Sequence, residues 1–154
     1  MKEIEKQINR AYFSPGTECL NAILDSINNA EYSLKICVFT ISDDRITAAI
    51  IKAHQEGVQV RLLTDNEKLF DKGSDIRELA AAGIETRVDV TQYHMHHKFA
   101  IIDNEALLTG SYNWTRSAAN YNHENLLVTN QRDIVTSYLL EFDKLWDEMP
   151  LFDE

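Results

Sequence analysis

Six residues of this chain could together break a phosphodiester. His96, Lys98, Asp103, Gly110, Ser111 and Asn113 follow the spacing H-x-K-x4-D-x6-G-S-x-N. At about one in twenty per position, chance would produce that pattern roughly once in 10^7 starting points. A neutral imidazole can attack phosphorus and form a phosphohistidine, which divides one displacement into two easier steps. The Lys98 ammonium, the Asn113 amide and the Ser111 hydroxyl offer donors for the equatorial oxygens, where charge sits during phosphoryl transfer. The leaving alkoxide needs a general acid, and a second imidazole near its neutral-pH midpoint is suited to that. A nucleophilic ring also needs an acceptor on its other nitrogen. Glu124, at the start of an apolar run just after the motif, is the candidate.

These groups need elements to hold them. Strand neighbours two residues apart share a face, which pairs His96 with Lys98 and Ser111 with Asn113. Residues 98–103 and 106–112 read as strands joined by the two-residue connection Asn104-Glu105, a hairpin signal. Asp103 lies an odd number of residues from Lys98, so parity takes it off the reacting face and makes it a buried structural acceptor. Upstream, a short strand ends in a turn at Pro15. Helix periodicity follows over residues 17–30, through Leu20, Ile23, Leu24 and Ile27, and over residues 43–56, through Ile46, Ala49, Ile50 and Ala53, closed by Gly57. Residues 33–41 read as a strand covered on both sides. Strands follow at 58–63, 85–90 and 124–129. A short helix capped by Ser74 runs to Ala82, and a last helix covers residues 133–149. This alternation predicts an α/β protein, a mixed β-sheet flanked by helices on both faces.

The 154 residues predict a single domain, residues 1–154. No apolar stretch follows the charged first residues, and no run approaches a membrane span. On that basis the chain is expected to be soluble and cytoplasmic. Cys19 and Cys37 are expected to be buried free thiols. Net charge is −10, with −5 of it from residues 131–154. An acidic enzyme must gather positive charge locally to hold a polyanion. The candidates are Lys98, Arg116, Lys35, Lys68, Lys72 and Arg45, with Arg116 a candidate phosphate contact. The loop with Lys68, Leu69, Phe70 and Lys72 could rim the substrate.

The motif resembles the HKD motif of the phospholipase D superfamily. The length and layout are most similar to its single-motif members, which include small bacterial endonucleases and Zucchini-type proteins associated with mitochondria. Tyr12-Phe13-Ser14-Pro15 resembles the family's opening strand, Glu56 to Arg61 its turn and strand after the second helix, and Asn122-His123-Glu124-Asn125 its acidic site. The resemblance covers roughly residues 9–146. It implies an α-β-α sandwich with His96 as nucleophile, Lys98 and Asn113 holding phosphate, Ser111 at the hydroxyl position, Glu124 orienting the histidine and Asp103 supporting. It implies no cofactor and no metal. Superfamily sites use two motifs, so a chain with one implies a homodimer with the two His96 rings facing each other across a two-fold axis. Zucchini-type proteins carry a zinc-binding insertion and a membrane anchor. This chain shows neither, which favours the compact bacterial form.

The rival for the crowded His94, His96 and His97 is a metal site, but Lys98 would repel the cation. Tyr112 and Trp114 alternate with Ser111 and Asn113 and should pack in the core, with base stacking the sharper alternative. The expected function is a metal-independent phosphodiesterase acting on nucleic acid as an endonuclease. The alternatives are a phospholipid hydrolase of the phospholipase D or cardiolipin hydrolase type, and an inactive module that binds nucleic acid or protein.

Overall fold

The computed structural model describes residues 6–66 and 73–152. The expected substrate rim at Lys68 to Lys72 lies outside the described residues. The elements are β1 (Asn9–Phe13), α1 (Glu18–Asn28), β2 (Ser33–Val38), α2 (Asp44–Gln55), β3 (Gln59–Asp65), α3 (Ile76–Ala81), β4 (Glu85–Asp89), β5 (Lys98–Ile102), β6 (Ala106–Gly110), α4 (Arg116–Asn120), β7 (Asn125–Thr129) and α5 (Arg132–Glu148). Seven strands form one mixed sheet in the order β1-β7-β6-β5-β2-β3-β4. β2, β3 and β4 are parallel, and the remaining pairings are antiparallel.

Apolar residues at helical spacing place the layers. Cys19, Leu20, Ile23 and Ile27 of α1 and Ile46, Ala49, Ile50 and Ala53 of α2 pack on one face of the sheet, against Leu34, Ile36 and Val38 of β2. Phe142 and Trp146 of α5 pack on the other face, with Cys37, Phe99 and Ile101. β2 is therefore covered from both sides, as its nearly continuous apolar run predicted. Its one charged residue, Lys35, reaches Asp143 on α5 at 3.6 Å. Both cysteines are free and fully buried. Burial pushes the Cys19 thiol up to about 11 and raises Cys37 as well.

Three local expectations are corrected. The N-cap position of the short helix before β4 is Asp75, not Ser74; the Asp75 carboxylate accepts from Thr47 Oγ1 at 2.7 Å, which ties α3 to α2. α4 was not expected: Thr115 caps it by accepting the Ala118 N–H. The β5–β6 connection has three residues, because Ile102 pairs with Ala106. Asp103 and Asn104 take left-handed backbone angles there, φ 55° and 57°, which Asp and Asn tolerate better than other non-glycine residues.

Leaving the strand turns the Asp103 carboxylate onto the α1–β2 loop. It accepts the backbone N–H groups of Glu31, Tyr32 and Ser33 at 2.6–3.2 Å, and its own N–H donates to the Ser33 carbonyl. Asp103 is thus the structural acceptor anticipated, half-buried rather than buried. It sits five residues from Lys98, roughly 16 Å along β5, which removes it from the group of reacting residues. Asp103→Ala orphans three donors and should lower the free energy of unfolding by about 2–3 kcal/mol, seen as an earlier urea midpoint at unchanged m-value.

Candidate active site

The sheet brings the remaining motif residues to one end. β5 runs antiparallel to β2, with Lys98 opposite Val38, so the start of β5 lies at the C-terminal end of β2. Two consecutive backbone amides there collect both halves of the motif. Phe39 N donates to the His97 carbonyl at 2.9 Å, and Thr40 N donates to Asn113 Oδ1 at 3.2 Å. The second bond fixes the amide orientation and leaves the Asn113 Nδ2 hydrogens as donors. Asn113 and Ser111 do not lie on a strand as expected, because β6 ends at Gly110. A Cβ at Gly110 would run into the Asn125 carbonyl, so only glycine lets β7 come this close. Tyr112 and Trp114 are buried at 0% and 2% exposure, as core packing predicted.

His96 and Lys98 meet as side chains. The Lys98 ammonium lies 3.0 Å from His96 Nδ1 and donates to the His96 carbonyl at 2.9 Å. The Phe39 ring stands 4.6 Å from the His96 ring and 5.8 Å from Lys98 Nζ. Partial burial, followed by the Lys98 charge, holds the His96 pKa below the usual imidazole value. Burial also lowers Lys98, against the pull of Glu124. The ring is therefore biased towards the neutral form a nucleophile needs.

Glu124 and Ser111 take different places from those expected. Ser111 Oγ donates to Glu124 Oε1 at 3.0 Å and accepts from Asn125 N at 3.1 Å. Its one hydrogen is engaged, so in this state it holds Glu124 rather than offering a donor to phosphate. Ser14 secures the same segment: its Oγ donates to the Asn122 carbonyl and accepts from Glu124 N. Within the protomer Glu124 faces Lys98 electrostatically and makes no hydrogen bond to His96. Arg116 binds Asp44 at 2.8 and 3.0 Å in an exposed ion pair. Arg45 is likewise held by Asp43. Of the candidate cations among the described residues, Lys98 is the one in contact with His96. No group of three or more His, Cys, Asp or Glu is disposed to hold a metal among the described residues.

Two residues escaped the reading of the sequence, Phe39 and Asp65. Asp65, at the end of β3, is fully buried, and its Oδ2 accepts the Met95 N–H at 2.7 Å. The signal was a carboxylate closing an apolar parallel strand, the end where α/β sheets build their sites. A groove of about 310 Å³ opens at His96 and Lys98, between Thr109 and Gly110 on one side and Tyr138 and Glu141 of α5 on the other. A larger cavity, about 490 Å³, lies by Asn104 and Asn130, at the hairpin end with Asp103.

The family described as cardiolipin synthase, PLD-like domain, matches residues 23–146. The chain belongs to the phospholipase D superfamily. It is 47% identical over 128 residues to a mitochondrial cardiolipin hydrolase of Chlamydomonas reinhardtii, covering 83% of this chain and 57% of that protein. It is 40% identical over 133 residues to the Homo sapiens mitochondrial cardiolipin hydrolase, covering 86% and 53%. A phospholipase D of Rickettsia bellii is 39% identical, covering 82% and 63%. The chain thus spans little more than half the length of the curated relatives it matches. Its structure matches that of Nuc, a phospholipase D family member from Salmonella typhimurium, with a TM-score of 0.90 at 25% identity, covering 97% of this chain and 100% of that one. NucT from Helicobacter pylori shares the fold, with a TM-score of 0.87 at 24% identity, covering 96% and 100%.

The cytoplasmic expectation is overturned by these relatives, which are mitochondrial proteins at 40–47% identity. No helix among the described residues is long and apolar enough to cross a membrane, a fact that assigns no compartment.

The coupling between His96 and Lys98 is open to measurement. By NMR titration, the His96 ring of the parent protein should titrate below the ordinary imidazole value. Lys98→Met removes a like charge and should move that midpoint upward; an unchanged midpoint would count against the contact.

Proposed function

We propose that the protein hydrolyses phosphodiesters as a homodimer, with His96 as nucleophile. The observation that carries this is a neutral-biased imidazole in contact with the Lys98 ammonium, with the Asn113 amide fixed beside them. One ring attacks phosphorus and forms a phosphohistidine. The ring of the second copy protonates the leaving alkoxide, then takes a proton from the water that releases the phosphomonoester. Lys98 and Asn113 hold the phosphoryl oxygens in both steps. A ring that attacks through Nε2 must direct Nδ1–H at an acceptor, so the Lys98 ammonium, 3.0 Å from Nδ1 in the lone protomer, has to turn from the ring to the phosphoryl oxygens when the site assembles. Glu124, facing across the two-fold axis, is our candidate, since within its own protomer it is bound by Ser111. Asp103 supports the hairpin, and no step calls for a metal.

For the substrate we favour a phospholipid diester of the cardiolipin class, met at a cardiolipin-bearing mitochondrial membrane. The relatives at 40–47% identity are named for that activity. A polynucleotide is best tracked by a run of cations, whereas Arg116, Arg45 and Lys35 are all neutralised by carboxylates. The endonuclease reading stays as the second one. Tyr93 and Tyr121, exposed at 72% and 78%, flank His96 and Glu124 in sequence and could stack bases.

A side-by-side assay on cardiolipin vesicles, single-stranded DNA, duplex DNA, RNA and an aryl phosphodiester tests these readings. His96→Ala should abolish turnover of every substrate the parent protein cleaves, without unfolding it. Excess EDTA should leave the rate unchanged. Turnover by a folded His96→Ala variant would remove the nucleophile, and an active monomer in light scattering would remove the shared site. Cleavage confined to nucleic acid would reverse the choice of substrate.

A further inference from the structure

We propose that Asp65 is a positioning residue for the reaction: its buried carboxylate anchors the loop that carries His96 and so sets where the imidazole stands. This rests on the reading of His96 as nucleophile. His96 belongs to no strand, since β5 begins at Lys98, and its side chain is exposed. Its placement therefore depends on its neighbours. On one side, the His97 carbonyl accepts Phe39 N, a backbone bond any residue could make. On the other side the anchor depends on a particular side chain. Asp65 Oδ2 accepts Met95 N at 2.7 Å and lies 3.7 Å from His94 Nδ1. The Met95 side chain is buried at 3% exposure, its sulfur 3.4 Å from Cys37 Sγ. Met95 is thus held at its backbone by Asp65 and at its side chain by the core, and His96 is the next residue out.

Residue choice in β3 points the same way. Val60, Leu62 and Leu63 follow the apolar pattern of the core, and Asp65 departs from it with 0% exposure. A carboxylate so deeply buried is costly unless hydrogen bonds compensate, and a carboxylate oxygen makes a charge-assisted bond to an N–H, about twice as strong as a neutral one. A displacement of about 1 Å at a reacting group can cost on the order of 100-fold in rate, so an anchor one residue from the nucleophile has leverage. Asp65 also acts through its charge. Of the groups acting on the ring, Lys98, His94 and His97 oppose a proton on it, and Asp65 favours one.

The test uses the full chain with Asp65→Ala and Asp65→Asn, and His96→Ala as control. The readouts are kcat and KM on an aryl phosphodiester, the pH profile of kcat, circular dichroism, and NMR titration of the His96 ring. Asp65→Ala should lose on the order of 100-fold in kcat with KM nearly unchanged. Asp65→Asn keeps an oxygen for Met95 N–H and should recover most of that loss. Removing the negative charge should also move its His96 titration, and the acid limb of its pH profile, to lower pH. If Asp65→Ala does not fold, Asp65→Asn decides alone. A His96 titration and pH profile superposable on the parent's would overturn the proposal, as would full kcat in folded Asp65→Ala. Turnover by His96→Ala would strike the nucleophile reading instead, while the NMR titration would still report the coupling of Asp65 to the ring.

Discussion

The amides of Phe39 and Thr40 are the constraint on which the site depends. They leave the end of β2 in succession, one binding the His97 carbonyl and the other the Asn113 side chain. Two segments some fifteen residues apart in the motif are thereby referred to the same two peptide units. β2 itself is packed from both faces and paired on both edges, so it is among the least movable parts of the molecule. A reacting constellation tolerates only small errors in placement, and here both segments are tied to the two residues that directly follow a central strand.

Electrostatics around this frame are local. The acidic surface gives no long-range attraction for an anion. Among the described residues, three cations that might have widened the positive region are paired, Arg45 to Asp43 and Arg116 to Asp44 at the start of α2, and Lys35 to Asp143 on α5. Among the described residues these pairings leave the Lys98 ammonium, the Asn113 amide and the His96 imidazole at the candidate site.

Periodicity was enough to read the layers, because Ile23 and Ile27, or Ile46 and Ile50, repeat at helical spacing and a strand such as β2 is too apolar to be anything but central. The motif was legible because its spacing is rare. The positions of individual polar groups were less so. Counting residues along a strand put Ser111 and Asn113 on one face, but the chain leaves the sheet at Gly110, where the approach of Asn125 admits no side chain. Parity along the strand read Asp103 as a structural acceptor, but its left-handed turn beyond β5 and its target, the N–H groups of residues 31–33, depend on a loop seventy residues away. Arg116 and Asp44 are likewise joined only by the folded chain. The compartment was misjudged because the first residues and the hydropathy of this chain are silent about where the protein works.

The two thiols carry a consequence of their own. Cys19 and Cys37 lie on opposite faces of the sheet, shut away from solvent and held as thiols by burial. Oxidants and alkylating agents react with the thiolate, so neither sulfur offers them a target while the layers stay closed. The native protein should thus be indifferent to the redox poise around it, and its cysteines become chemically visible only to the extent that the fold opens.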